Sequence, residues 1–355
     1  MPTPTHLLTS DWHCQPGAWA SRPEIRGDSF YSLQQIVDYA NQYDVHLVGA
    51  GDLFDVQAPD AETCFKVKAT LQQLGRDLLF VEGQHELQPT VPWLYALLDV
   101  KRVSLHNYVL KSRGIEMVGL NWLPHEQLQQ ALAALPKADM LVTHQVWSDF
   151  MAPLAGSATL SQVPHVRLVY TGDYHRLKQA DVTGATGQPL HALNTGSTCM
   201  QDIGELAEKQ VALLYDDLSY QLLPLKTRPV GSVVLDSVEA VDNAIPTLEN
   251  TLAAMATAEH PVQRQPLIRV YYPVGLVAAY RQLAEHFRGQ AFFFPSETAE
   301  VKEATEAAIA DEVPTATLLD CLAEECDEGS PEFGICRDLL DAANIKPVLN
   351  SLLPQ

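Results

Sequence analysis

The sequence predicts a layered α/β protein with parallel strands, on three observations. Short apolar runs alternate with helical periods through most of residues 1–180. Five of those runs stop at clusters rich in Asp, His and Gln, several beside a glycine. Near Pro229 the pattern changes, and a smaller strand–helix–strand series begins.

Residues 5–10 (THLLTS) read as a buried strand. Ser29 to Tyr43 carries Phe30, Leu33, Ile36, Val37 and Ala40 at a helical period. Val45 to Ala50 is a second strand. Asp60 to Gly75 reads as a helix with Asp60 as its cap and Gly75 as its stop. Leu78 to Val81 is a third strand, and further strands are expected at 115–119, 139–143 and 166–171, with a helix at 125–135. Segments 190–195, 210–215 and 220–225 read as strands that finish a second sheet. Beyond Pro229, strands are expected at 230–235, 267–271 and 291–294, and helices at 238–258 and 276–287. The acidic segment 296–312 is a helix or a solvated linker. Segments 315–326 and 331–342 read as a helical pair turning at Gly329, Ser330 and Pro331. The chain divides accordingly into 1–228, a small α/β module at 229–295, a linker or helix at 296–314 and a helical segment at 315–355.

Charge limits the possible partners. The formal net charge is −21: residues 1–230 hold 16 basic and 24 acidic groups, residues 231–355 only 7 basic and 20 acidic. No basic stripe is visible, which argues against a strong unaided grip on nucleic acid. Cutting it with bound cations and a basic partner stays open. No run approaches the roughly 18 apolar residues of a membrane helix. Residues 1–11 do not read as a secretion signal, and six scattered cysteines fit a reducing, cytoplasmic setting.

The clusters are Asp11-Trp12-His13, Gly51-Asp52-Leu53-Phe54-Asp55, Gly83-Gln84-His85-Glu86, His144 and Gly172-Asp173-Tyr174-His175. Open α/β sheets bind ligands outside the carboxyl ends of their strands. Two divalent cations about 4 Å apart can clamp a phosphate, with one carboxylate bridging them. Mixed nitrogen and oxygen donors suit manganese, iron or zinc better than the oxygen shells of magnesium or calcium. Each cluster alone also has a plain structural reading. Asp52 can cap a helix, His85 and His144 can be hydrogen-bonded strand-end histidines, and Asp173 and His175 can lie on a solvated loop. Five occurrences in one setting favour ligands.

The series DWH, GDLFD, GQHE, TH and GDYH resembles the calcineurin-like metallophosphoesterase superfamily. Within it, the chain is most similar to the small nuclease subunit of the bacterial SbcCD complex and to phage relatives that work in recombination. The resemblance covers residues 11–175 by motif. It implies a layered metallophosphoesterase fold of two sheets flanked by helices, running to about 225, then a small α/β capping domain and a C-terminal helical pair. It implies that Asp11, His13 and His175 hold one metal and Gln84, His144 and Asp173 help hold a second, with Asp52 bridging. It makes His85 the transition-state or general-acid histidine. Asp55 and Glu86 would orient ligands, with solvent binding an alternative for Glu86, and the NTGST turn at Asn194, Gly196 and Ser197 would be structural. The family usually has asparagine at Gln84 and histidine at Asp173. These changes either tune the second site toward manganese or magnesium or weaken it.

The implied activity is metal-dependent exonuclease and endonuclease cleavage of DNA, with two divalent ions, manganese first and magnesium, iron or zinc as alternatives. The implied partners are DNA, an SMC-like ATPase subunit gripped by the C-terminal helices, and a second copy of the chain near 60–75 and 90–100; Leu318, Leu319, Leu322, Leu339 and Leu340 either dock on that ATPase or are core of a packed domain. Arg264, Arg269, Arg281 and Arg288 either line a duplex or are surface charge. A cytoplasmic location in a bacterium or phage-infected host follows. A stand-alone phosphodiesterase for small substrates and a catalytically weak DNA-end scaffold are the other two classes.

Overall fold

The computed structural model describes residues 2–17, 25–87, 97, 99–150, 158–202, 204–205, 208–238, 240–256 and 265–298. The chain opens with β1 (Pro4–Thr9), α1 (Asp28–Gln42), β2 (His46–Ala50), α2 (Ala61–Leu71), β3 (Leu78–Val81) and a short β4 (Arg102–Ser104). Then come β5 (Val109–Ser112), β6 (Ile115–Leu120), α3 (His125–Ala133), β7 (Met140–His144), β8 (Leu168–Gly172), β9 (Lys178–Thr183) and β10 (Pro189–Asn194). After β11 (Lys209–Tyr215) and β12 (Tyr220–Leu225), a smaller module holds β13 (Val230–Val234), α4 (Ala240–Ala256), β14 (Leu267–Pro273), α5 (Val277–His286) and β15 (Phe292–Thr298).

Two six-stranded mixed sheets result, ordered β12-β11-β1-β2-β3-β4 and β5-β6-β7-β8-β10-β9. Strands β1 to β4 run parallel in the first, and β6, β7, β8 and β10 in the second. Successive side chains of a strand point to opposite faces. Leu7, Leu47 and Leu78 therefore pack outward beneath Leu33 and Ile36 of α1 and Val67 of α2. Their neighbours Leu8, Val48 and Leu79 point inward, against Met117, Met140, Val142 and Tyr170 of the other sheet. Val118, Leu141 and Val169 face outward under Leu128 and Leu132 of α3. Strands buried on both faces must be apolar throughout, which explains their unbroken runs in the sequence. In the smaller module three parallel strands carry Ile268, Val270 and Phe293 against Val241, Leu248 and Leu283 of α4 and α5.

The cap expected of Asp60 is present: its Oδ1 accepts the Thr63 N–H at 2.7 Å. Helix α2 stops at Leu71, short of Gly75, whose N–H donates to Asn41 Oδ1 at 2.8 Å. One topological expectation is corrected. Segments 210–215 and 220–225 do not finish the second sheet: β11 lies antiparallel on β1 and β12 on β11, so both extend the first. Strand β15 takes in the first three residues of the acidic segment. The rest of that segment, the helical pair at 315–355, Arg264 and most of 90–100 lie outside the described residues. Among the described residues no helix is long and apolar enough to cross a membrane.

The sandwich interior also buries a base. His6 on β1 has no exposed surface and sits opposite His46 in the β1–β2 register, with Nε2 3.0 Å from Ser112 Oγ. Burial, then the charges of His46 and Arg113, push its pKa down to about 3. It is neutral in the fold, whereas the unfolded chain takes up a proton below about 6.5. This stability is fully present above that pH and is lost as pH falls toward 3, with about 2 kcal/mol gone by pH 5. His6→Phe is expected to remove that part of the acid slope, read from urea midpoints at pH 7 and pH 5.

Candidate metal centre

The carboxyl ends of the parallel strands in both sheets meet at one rim. Asp11 follows β1, Asp52 follows β2, Gln84, His85 and Glu86 follow β3, His144 ends β7, and Asp173 and His175 follow β8. Beyond their strands the first two loops stay laddered. Asp11 N–H donates to Gly51 O at 3.1 Å, His13 N–H to Asp52 O at 3.0 Å and Cys14 N–H to Leu53 O at 2.9 Å. Asp11, His13, Asp52 and Asp173 have φ of 51°, 43°, 49° and 81°. Left-handed backbone is uncommon outside glycine, and it gathers where surroundings over-determine a functional site. Two glycines allow the close approach. A Cβ on Gly83 would overlap Oδ1 and N of Asp52, and one on Gly172 would lie 2.6 Å from His144 Nδ1 and 3.0 Å from Asp11 Oδ2.

Three triads share members here: Asp11–His13–His175, His13–Asp52–His85 and Asp11–Asp52–His144, each with ligand atoms within 4.8 Å of one another. Asp52 joins two of them, in keeping with a bridge, and so do Asp11 and His13, to each of which the resemblance gives one metal only. His85 also appears as a possible ligand, a role not expected of it. Asp173 is in none of the triads, but its Oδ1 lies 3.9 Å from His144 Nε2 and accepts the Gln84 Nε2 amide at 3.0 Å.

The donor atoms fit divalent ions. Asp52 Oδ2, His144 Nε2 and Gln84 Oε1 are buried without a hydrogen-bond partner. His144 Nδ1 lies 2.5 Å from Ala50 O and donates there, which leaves Nε2 facing Asp52 Oδ2 at 3.2 Å and Asp11 Oδ1 at 3.9 Å. His175 Nδ1 lies 2.8 Å from Glu205 Oε1, and His13 Nδ1 is in oblique contact with Asp55 Oδ1 at 3.2 Å. Their Nε2 atoms then turn toward each other at 3.1 Å among carboxylates. A shared cation would be held between these two nitrogens, with the carboxylates lying behind the rings. Cations held here would supply Lewis acidity and charge neutralisation at a phosphate.

Electrostatics point the same way. Burial opposes charge on Asp52, yet His144, then His13 and His85, hold its carboxyl at about 2. Burial opposes charge on His144 too, but Asp52, followed by Asp11 and Asp173, lifts it to about 10. Without a cation, a proton rests on His144 against Asp52. Metal binding must displace that proton. Affinity is therefore expected to fall by up to about tenfold per pH unit below 10, as far as one proton is exchanged. Calorimetry in two buffers of different ionisation enthalpy counts the proton.

Several supporting residues were only partly foreseen. Glu86, 2% exposed, does not bind solvent. Its Oε2 accepts the N–H groups of Asp52 and Gly83, both at 2.9 Å, and its Oε1 that of Phe54 at 3.1 Å, clasping the loops after β2 and β3. Glu205 was missed, having no motif around it. Burial would raise its pKa, but the hydrogen bond from His175 and the charge of Lys209 bring it to about 2. The NTGST turn braces the backbone of two ligands: Thr198 N–H donates to Asp11 O and Ser197 N–H to His175 O, both at 3.2 Å. His85 anchors its backbone N–H on Asp52 Oδ1 at 3.1 Å and leaves its ring about a third exposed, with Nε2 3.7 Å from Asp52 Oδ2.

No protein-family model matches the chain, and no curated protein matches it significantly. Among solved structures it is similar to a novel archaeal phosphodiesterase, at 10% sequence identity and a TM-score of 0.37, over 62% of this chain and 99% of that one. The architecture and the site carry the assignment instead. Two mixed sheets flanked by helices, with three His/Asp triads at their shared rim, give the chain a layered metallophosphoesterase-like architecture with a candidate dinuclear metal site.

Proposed function

We propose that the protein is a metal-dependent DNA phosphodiesterase, cutting as exonuclease and endonuclease and working beside an SMC-like ATPase. The observation that carries the catalytic part is the cluster around Asp52, where six side chains from both sheets fall into three overlapping triads of ligand atoms. Asp11, His13 and His175 would hold one ion, and His144, Gln84 and Asp173 the other, with Asp52 between them. Gln84 Oε1 and the Asp173 carboxylate make the second position oxygen-rich, which favours manganese or magnesium over zinc there. His85, at the open mouth, would donate a hydrogen bond or proton to the departing 3′-oxygen.

The order of the motifs supports the nuclease reading. So does the module at 230–298, which brings Arg281 and Arg288 to one groove beside Phe292 and Tyr280. Residues 315–355 would dock on the ATPase. A second copy would pack near α2, where Phe65 is 72% exposed. A small phosphodiester substrate is the second reading, and the charge of −21 favours it.

The test uses linear single- and double-stranded DNA and bis(p-nitrophenyl) phosphate with manganese, magnesium or zinc. DNA is expected to be cut with manganese, and His85→Ala should lose about 100-fold or more with its metal content intact. Hydrolysis of the small ester alone would select the second reading. Bound metal without any hydrolysis would overturn both.

A further inference from the structure

We infer that Glu205 is the positioning residue that fixes His175, and that Arg269 of the C-terminal module holds Glu205 in place, so that the module helps to set the metal centre. The inference rests on the dinuclear reading above.

Glu205 reaches in both directions. Its Oε1 takes His175 Nδ1 at 2.8 Å. Its Oε2 accepts from Lys209 Nζ at 2.7 Å and Ser197 Oγ at 3.0 Å. Lys209 Nζ in turn donates to Ser197 Oγ at 2.8 Å, and its side chain is 3% exposed. The carboxylate is therefore fixed by a buried cation and a hydroxyl, with one oxygen left for the imidazole. An imidazole whose Nδ1–H is bound has one tautomer and one orientation, and here that turns Nε2 toward His13 and Asp11.

The backbone of the same residue is held from outside the sandwich. Glu205 O accepts the Arg269 guanidinium at 2.9 Å. Arg269 lies on β14 and is buried. Beside it Leu267, also on β14, packs with Ile25 and Met200, the latter just before Glu205 in sequence. A contiguous path of short contacts thus runs from Arg269 on β14 through Glu205 to His175, across chain separations of 64 and 30 residues. If Glu205 merely pinned its loop, its loss would lower stability and leave ion affinity unchanged.

Manganese titration of the full chain, read as affinity and stoichiometry, separates these cases. Wild type is expected to bind two ions. Glu205→Ala alone strands a buried Lys209, so the removal is made as Glu205→Ala with Lys209→Met. This variant should bind one ion about 10–100-fold more weakly and the other as before. Glu205→Gln, whose amide oxygen can still accept from His175, should recover most of that loss. Arg269→Ala should weaken the same ion by about threefold or more. A folded double variant that binds both ions as wild type does would overturn the positioning role. Wild-type binding by Arg269→Ala would overturn the part given to the module. Wild type binding no manganese at all is a separate result, and it removes the dinuclear reading itself.

Discussion

Asp52→Asn is expected to lower hydrolysis by about 1,000-fold or more and to abolish tight binding of at least one ion. The substitution keeps the shape of the side chain. It also keeps an oxygen that can accept the His85 N–H, now at 3.1 Å, so the loop after β3 has no reason to move. What it removes is the charge shared by the triads on either side. Metal-held charge at a phosphate is worth several kcal/mol in the transition state, and each 1.4 kcal/mol is about tenfold in rate. Metal content after dialysis, together with turnover, checks this. Full metal content with full activity would mean that Asp52 is not the bridge.

Glu86→Ala has the largest effect expected on stability. One buried carboxylate satisfies three backbone donors, those of Asp52, Gly83 and Phe54. Leaving a buried donor unsatisfied costs about 1–3 kcal/mol, so the loss should be about 3 kcal/mol or more, read from urea unfolding. Glu86→Gln keeps one acceptor oxygen but turns an amide N–H against a backbone donor. It should fall between wild type and the alanine variant. In both variants the ions should bind more weakly, because the backbone that presents Asp52 has lost its clasp.

These two residues show what the sequence could tell. Asp52 was legible because strand-end position, residue type and a flanking glycine coincide in one short motif. The buried strands were legible for a similar reason, since burial on both faces forces unbroken apolar runs such as Leu78 to Val81. Strand β9, KQADVT, alternates half-buried with exposed residues at a sheet edge and so carries no such run. Strands β4 and β5 are three and four residues long, too short to stand out. The misplaced β11 and β12 have good strand patterns. Pattern gives the element, but only pairing decides the sheet. Glu86 was visible beside His85, though its three N–H partners were not. Glu205 was invisible because its partners, His175 and Arg269, come from distant parts of the chain.

The placement of the centre has one more consequence. Asp11, His13, Asp52 and His85 come from the first sheet, and His144, Asp173 and His175 from the second. An ion bound by both groups is a clamp across the seam of the sandwich. Any opening that parts the two sheets must first release it. At an ion concentration 100 times the dissociation constant, that adds about 2.7 kcal/mol to the opening. Amide hydrogens of β2 and β7, on either side of the seam, would then exchange roughly 100-fold more slowly in the loaded protein than after chelation. The metal supply of the cell would thereby govern how long the chain resists proteolysis as well as how fast it works.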